Sequence, residues 1–196
     1  QEYYESPEFK GRIFSVDEFA HWYARKFGAF TYSRDWYGFN IPSAILEPFR
    51  CGQFDPLTNL EKRLINICAD AVGDFYVIGA TPNAEYFGET VKHEFVHGAF
   101  HVNKFYREEV VSCVKENKVK AVNAALRKMG YHPDVFEDEA NAYILVEPET
   151  VGEFASKRDT EKLRDKLDGI FKRYFGFSVL EAGIQNLIAR TEHVLI

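Results

Sequence analysis

The pentapeptide HEFVH, from His93 to His97, is the part of this chain whose residue types and spacing can do chemistry. On a helix, side chains four residues apart project from one face a turn apart, so His93 and His97 can bind a single tetrahedral zinc ion. Glu94 lies about 100° around the same helix, near such an ion but not bound to it. Zinc lowers the pKa of a bound water from about 15.7 towards 7, and a carboxylate in that place can take the proton as the water attacks a carbonyl. The chemistry these residues predict is metal-assisted hydrolysis, with a peptide bond as the leading substrate. The pattern HExxH fixes only three positions, however. Two histidines on an amphipathic helix are often surface or satisfied core residues, and an interaction module with a vestigial motif is the bland alternative.

Catalytic zinc usually has three protein ligands and one open position, so a third ligand is required. His101 continues the four-residue series, but three successive side chains at that spacing drift around the helix and converge poorly on one ion. The longer metzincin pattern is excluded, because Phe100 and Asn103 stand where it requires Gly and His. His132 sits between a helix-stop Gly and Pro133, the setting of a corner residue. The carboxylates of FEDEANAY, Phe136 to Tyr143, remain. On a helix running from Val135, Glu139 shares a face with Ala142, Tyr143 and Val146, whereas Glu137 shares another with Asn141 and Ile144. A small, apolar face around one carboxylate suits a buried metal ligand, since an unpaired buried charge is costly and zinc provides its partner. Glu137 and Asp138 are then left for the first turn, where the helix dipole favours them. The alternative is that Glu139 orients a histidine through its remote nitrogen, with His132 as ligand.

HEFVH followed by a helix with a central Glu resembles the gluzincin group of zinc metallopeptidases, and the small size is similar to that of the compact minigluzincins. The likeness in layout runs from about Phe75 to Leu145. It implies a zincin-like fold, one Zn2+ held by His93, His97 and Glu139, Glu94 as general base and later proton donor, and a peptide or protein substrate. Many gluzincins have Asn before the ligand Glu and Asp four residues after it; here Asp138 and Tyr143 stand there. The resemblance further implies that the strand at Phe75 to Gly79 presents an edge to extended substrate. For the transition-state oxyanion, Tyr143, one turn beyond Glu139, is the first candidate donor, with Tyr106 and Tyr131 as others. A latent or regulatory form is the second functional reading, with the apolar C-terminal stretch FSVLEAGIQNLIARTEHVLI covering the cleft, although an ordinary packed helix also accounts for that stretch.

The elements that must position these residues follow from capping and periodicity. Ser15 with Glu18, and Phe14 against Phe19, open a helix over Val16 to Phe27 that Gly28 stops. The stretch AFTYSRDWYGFNIPSAILEPF is too rich in Gly, Pro and aromatics for a helix and reads as a short strand near Phe30 to Tyr32 followed by an irregular segment. Thr58 with Glu61 opens a second helix through Leu60, Leu64, Ile67 and Ala71. FYVIG, Phe75 to Gly79, is a strand. The motif helix lies within about Asn83 to Asn103, with further helices at Tyr106 to Glu116 and Lys118 to Met129, the latter closed by Gly130. Asp134 with Glu137 opens the ligand helix, which ends near Glu147 because Pro148 follows. Two more helices, Thr160 to Phe175 and Val179 to Arg190, complete a single domain over 1–196, α+β and mostly helical, with a small sheet.

Composition bounds the partners. A 196-residue chain with 46% hydrophobic residues can build a sizeable core unaided. The formal net charge of −6 argues against a nucleic-acid surface, and the Lys/Arg-rich stretch from Lys157 to Arg173 alternates with acids as a solvated helix face does. No run approaches the roughly 18 to 20 apolar residues needed to span a bilayer. The start, QEYYESPEFKGR, lacks the basic-then-apolar order of a signal peptide. Cys51, Cys68 and Cys113, odd in number and widely spaced, read as reduced thiols in a cytosol-like compartment.

Overall fold

The computed structural model describes residue 9 and residues 12–35, 38–82, 85–117, 119–152 and 157–188. Helix α1 spans Val16–Phe27, with the reciprocal Ser15 and Glu18 capping bonds in place and Gly28 in the left-handed region at its end. Phe14 meets Phe19 at 6.0 Å between ring centroids. Phe30 and Tyr32 form no strand. Thr31 leads into a single 3-10 turn, Tyr32–Arg34, and both rings pack edge-on against Phe19 and Tyr23 of α1. Aromatic residues favour a half-buried surface of any kind, and here a helix face supplies it before a sheet can.

The sheet comes slightly later in the chain. Strand β1, Gly38–Pro42, pairs antiparallel with β2, Tyr76–Ala80, in the register Gly38 to Ala80, Asn40 to Ile78 and Pro42 to Tyr76. Between them lie α2, Ser43–Arg50, and α3, Asn59–Ile67, the latter opened by the expected Thr58 and Glu61 capping box. The segment expected to be irregular thus holds a strand and a helix. Pro42 stands at the N-cap of α2, where its missing amide costs nothing, whereas Pro48 lies inside the helix despite the amide it cannot donate.

The motif helix α4 runs Phe87–Val102 and lies against both strands and three other helices: α5, Lys104–Glu116; α7, Phe136–Val146; and α10, Ile184–Ile188. Helix α9, Lys157–Phe175, packs on α5 and α7 and reaches α4 through Phe171 against Phe95. Helix α6, Lys120–Met129, ends on left-handed Gly130 and is followed by a 3-10 turn, Pro133–Val135. Asp134 does not open α7. Instead, the His132 ring nitrogen accepts the Asp134 amide, and the 3-10 turn runs directly into the helix. Helix α7 ends at Val146 as Pro148 requires, and Pro148–Gly152 forms the short α8. The expected helix from Val179 is shorter: Ser178 still accepts the Glu181 amide, but turns occupy the residues before Ile184, and the part beyond Ile188 lies outside the described residues.

The main core gathers Val96, Tyr106, Val110, Leu126, Ile144, Leu145, Leu167 and Phe171, drawn from α4 to α9. Along α9 Leu163, Leu167, Ile170 and Phe171 face inward, while Glu161, Lys162, Asp165, Lys166, Lys172 and Arg173 are exposed as on a solvated face; Asp168 is buried and accepts from Ser178. Among the described residues no helix is long and apolar enough to cross a membrane. The architecture is α+β and mostly helical, with one two-stranded sheet among the described residues.

Candidate metal centre

Helix α4 carries His93, Glu94 and His97 inward, and all three are buried. Gly98, next to His97, permits the close approach of β2: a Cβ there would stand 3.3 Å from the Tyr76 ring. Helix α7 crosses α4 on the histidine side and brings Glu139 with it. The Glu139 Oε2 atom lies 3.6 Å from His97 Nε2 and 3.8 Å from His93 Nε2. These are too long for hydrogen bonds. An ion bonded tetrahedrally at roughly 2.1 Å holds its donors about 3.4 Å apart, close to this spacing. One ligand atom from each of His93, His97 and Glu139 falls within 4.8 Å of the others. Glu139 Oε2 is also buried with no hydrogen-bond partner, the position of a carboxylate oxygen that needs a cation beside it.

The outer edges of the two rings meet further carboxylates. His97 Nδ1 lies 2.9 Å from Asp138 Oδ1, which sits out of line with the ring N–H, and His93 Nδ1 lies 3.4 Å from Glu147 Oε1. Each imidazole turns Nε2 towards Glu139 and Nδ1 towards a different acid, the side on which metal-binding histidines take an orienting partner, although His93 Nδ1 and Asp138 Oδ1 are buried without a hydrogen bond. Burial alone would depress the imidazole pKa. For His97 it is overcome by the charges of Asp138, Glu139 and Glu94, which hold the pKa up to about 10. For His93 burial is likewise outweighed, by Glu139 and Glu147. The surrounding carboxylates thus favour the protonated form of both rings.

Glu94 is held from the sheet. Asn40 Nδ2, on β1, donates to Glu94 Oε2, and the Tyr76 hydroxyl, on β2, donates to Asn40 Oδ1 at 2.6 Å. Glu94 Oε1 faces the bare backbone of Gly38, where a Cβ would come within 3.2 Å of it. The strand that meets Glu94 is therefore β1. Strand β2, expected to present its edge there, has β1 on one side, and its Tyr76 side chain is linked to Glu94 through Asn40.

The other expectations divide clearly. Tyr143 stands beside the centre, its ring 4.7 Å from that of His93 and its hydroxyl 3.0 Å from that of Tyr131; burial raises its pKa and keeps it a neutral donor. Tyr106 is turned into the core, bonded to Asn141. His101 lies tilted against Tyr76 at 5.1 Å, and His132 pairs with Asp134, so neither belongs to the ligand cluster. Glu137 points to Lys115, 3.6 Å away, as a first-turn solvated acid should. Asp138, assigned the same role from sequence, does not share it: its carboxylate reaches back to His97. Glu147 was also missed, although it continues the four-residue series Glu139, Tyr143, Glu147 and could have been found by that period. Asn40 and Tyr76 left no signal, since only strand pairing brings them under the motif helix.

The described C-terminal residues rest on the flank of α4. Lys92 Nζ donates to the Leu180 carbonyl at 3.0 Å, and Ile184 lies against Gly88. Gly88 and Lys92 are roughly 100° to 140° around the helix from His93. No protein-family model matches the chain, no curated protein matches it, and no solved structure matches it.

Proposed function

We propose that the protein is a zinc-dependent hydrolase of peptide bonds, with His93, His97 and Glu139 as ligands and Glu94 as general base. The observation that carries the reading is the orphaned Glu139 oxygen facing two imidazole Nε2 atoms at non-bonding distances inside a buried pocket. Zinc bound there would supply Lewis acidity, polarising a carbonyl and acidifying water. The chain's own residues supply the rest. Glu94 accepts a proton at Oε1, the oxygen left free by Asn40, and later returns it to the leaving amine. Tyr143, neutral and adjacent to His93, donates to the developing oxyanion, with Tyr131 holding its hydroxyl in place. Asp138 and Glu147 fix the rings and keep Nε2 turned inward.

The open side of β1 suits an extended peptide. Its other side is paired with β2, it runs beside Glu94, and among the described residues no further strand pairs with it, so an extended peptide could add there next to the general base. This favours a peptide over other carbonyl or phosphoryl substrates.

The test is a digest of a mixed peptide library by zinc-loaded wild type and Glu94→Gln, with zinc measured on both. The expected result is cleavage by wild type that a chelator abolishes, and full zinc with no cleavage in Glu94→Gln. Equal cleavage by both would remove Glu94 from the mechanism, and no cleavage by fully loaded wild type would overturn the peptidase reading.

A further inference from the structure

We infer that Asn40 and Tyr76 form a positioning relay that holds the Glu94 carboxylate in its working orientation; this rests on the hydrolase reading above. Glu94 is a buried side chain on a helix whose neighbouring histidines face Glu139, and nothing on α4 itself is bonded to its carboxylate among the described residues. Three rotatable bonds would let that carboxylate swing away from this position. Asn40 Nδ2 takes Oε2 and removes that freedom.

Asn40 is itself determined. An ionised carboxylate only accepts, so the amide must turn its nitrogen to Glu94 and its oxygen away. The Tyr76 hydroxyl meets that oxygen at 2.6 Å, which satisfies it and locks the amide against a flip. Tyr76 is held in turn by the helix it serves, its ring against Gly98 and tilted against His101 one turn beyond. The circuit closes on α4: Gly98 and His101 fix Tyr76, Tyr76 fixes Asn40, and Asn40 fixes Glu94. Register is essential to it. Asn40 pairs with Ile78 and Pro42 with Tyr76, so Asn40 and Tyr76 share the sheet face turned to α4, and a slip of one residue would turn Asn40 away. Gly38, two residues earlier on that face, leaves Oε1 unobstructed while Oε2 is held. The Asn40 and Tyr76 side chains position the base and take no part in the chemical step.

The relay is tested with Asn40→Ala and Tyr76→Phe in the full chain, read by kcat and KM on a cleaved library peptide, by zinc per chain, and by a double-mutant cycle in metal-free protein. A hydrogen bond to a charged group is worth more than one between neutral groups, so Asn40→Ala is expected to lower kcat about 10 to 100-fold and Tyr76→Phe about 3 to 10-fold. KM and zinc content stay within about twofold of wild type. Because Tyr76→Phe keeps the ring against Gly98 and His101, its effect isolates the hydroxyl. In metal-free protein, the cycle of Asn40→Ala with Glu94→Ala should show a coupling of roughly tenfold in the unfolding equilibrium constant. Active wild type with unchanged kcat in Asn40→Ala, or a cycle without coupling, overturns the relay alone. Zinc loss or a raised KM with kcat intact would instead show a structural or substrate role and also overturn it. Silent, fully zinc-loaded wild type overturns the hydrolase reading and the relay's purpose together, and the wild-type control separates that outcome from the others.

Discussion

Asp138 and Glu139, adjacent on α7, meet opposite edges of one imidazole: His97 Nδ1 is 2.9 Å from Asp138 and its Nε2 is 3.6 Å from Glu139. Successive helical residues point about 100° apart, so a single ring can stand between them only where α7 crosses α4 closely. Helices α4 and α7 are in contact here, and Ala140 and Ala142, the alanines nearest Glu139 on α7, are small and fully buried.

Asp138→Ala is therefore expected to weaken zinc binding by about 10 to 100-fold, the usual cost of losing a carboxylate behind a metal-binding histidine. Glu137→Ala, one residue earlier and directed to Lys115, should leave the affinity unchanged. Zinc titration against a competing chelator checks both, and equal affinities for the two variants would mean that Asp138 does not orient His97.

Zinc binding should release protons. With His97 held up to about 10, metal-free protein at pH 7.5 carries a proton on this ring that an ion must displace. Calorimetric titrations at pH 7.5 in buffers of different ionisation enthalpy should report about one proton or more released per zinc, and apparent affinity should rise with pH. The same shift sets a sign for stability. A group whose folded pKa is raised contributes stability fully present below its unfolded value, near 6.5, and lost as pH climbs through about 10. His97→Gln should thus flatten the fall in metal-free stability between pH 6.5 and 10, measured by denaturant unfolding.

Gly38→Ala places a methyl 2.5 Å from Thr90 Cγ2 and 3.2 Å from Glu94 Oε1. The obstruction lies between a strand and the motif helix, so the expected loss is about 1 to 3 kcal/mol, as for other overpacked sites. Gly79→Ala meets first the Phe39 ring, which is half exposed and can swing away, and should cost less. Thermal unfolding of the pair decides whether the sheet is fitted to α4 as closely as described.

Tyr143→Phe tests the oxyanion donor. The ring stays against His93 while the hydroxyl is lost, so zinc content should hold and kcat should fall by roughly 100-fold, in the range found for a single oxyanion donor. Unchanged kcat would assign Tyr143 to packing.

Local signals carried most of this arrangement. The capping boxes at Ser15 and Thr58, the left-handed stops at Gly28 and Gly130, and the period of α4 and α7 act within a few residues, and each stands where the sequence puts it. The same period placed Glu139 on the face that meets His93 and His97. What stayed hidden depends on contacts between distant segments. Strand β1 lies among aromatics and prolines with no alternation of its own and is made a strand by β2, so Asn40 could not be linked to a glutamate fifty-four residues on. Asp138 looked like a first-turn acid because dipole and capping arguments treat α7 alone, whereas α4 supplies its partner.

Zinc per chain, measured by elemental analysis after equilibration with zinc at neutral pH and removal of free metal, tests the central claim most directly. The account predicts about one zinc for wild type and a loss of it in His97→Ala and Glu139→Ala, both checked for folding by circular dichroism. Wild type without zinc, or folded Glu139→Ala with its zinc held as tightly as in wild type, would contradict it.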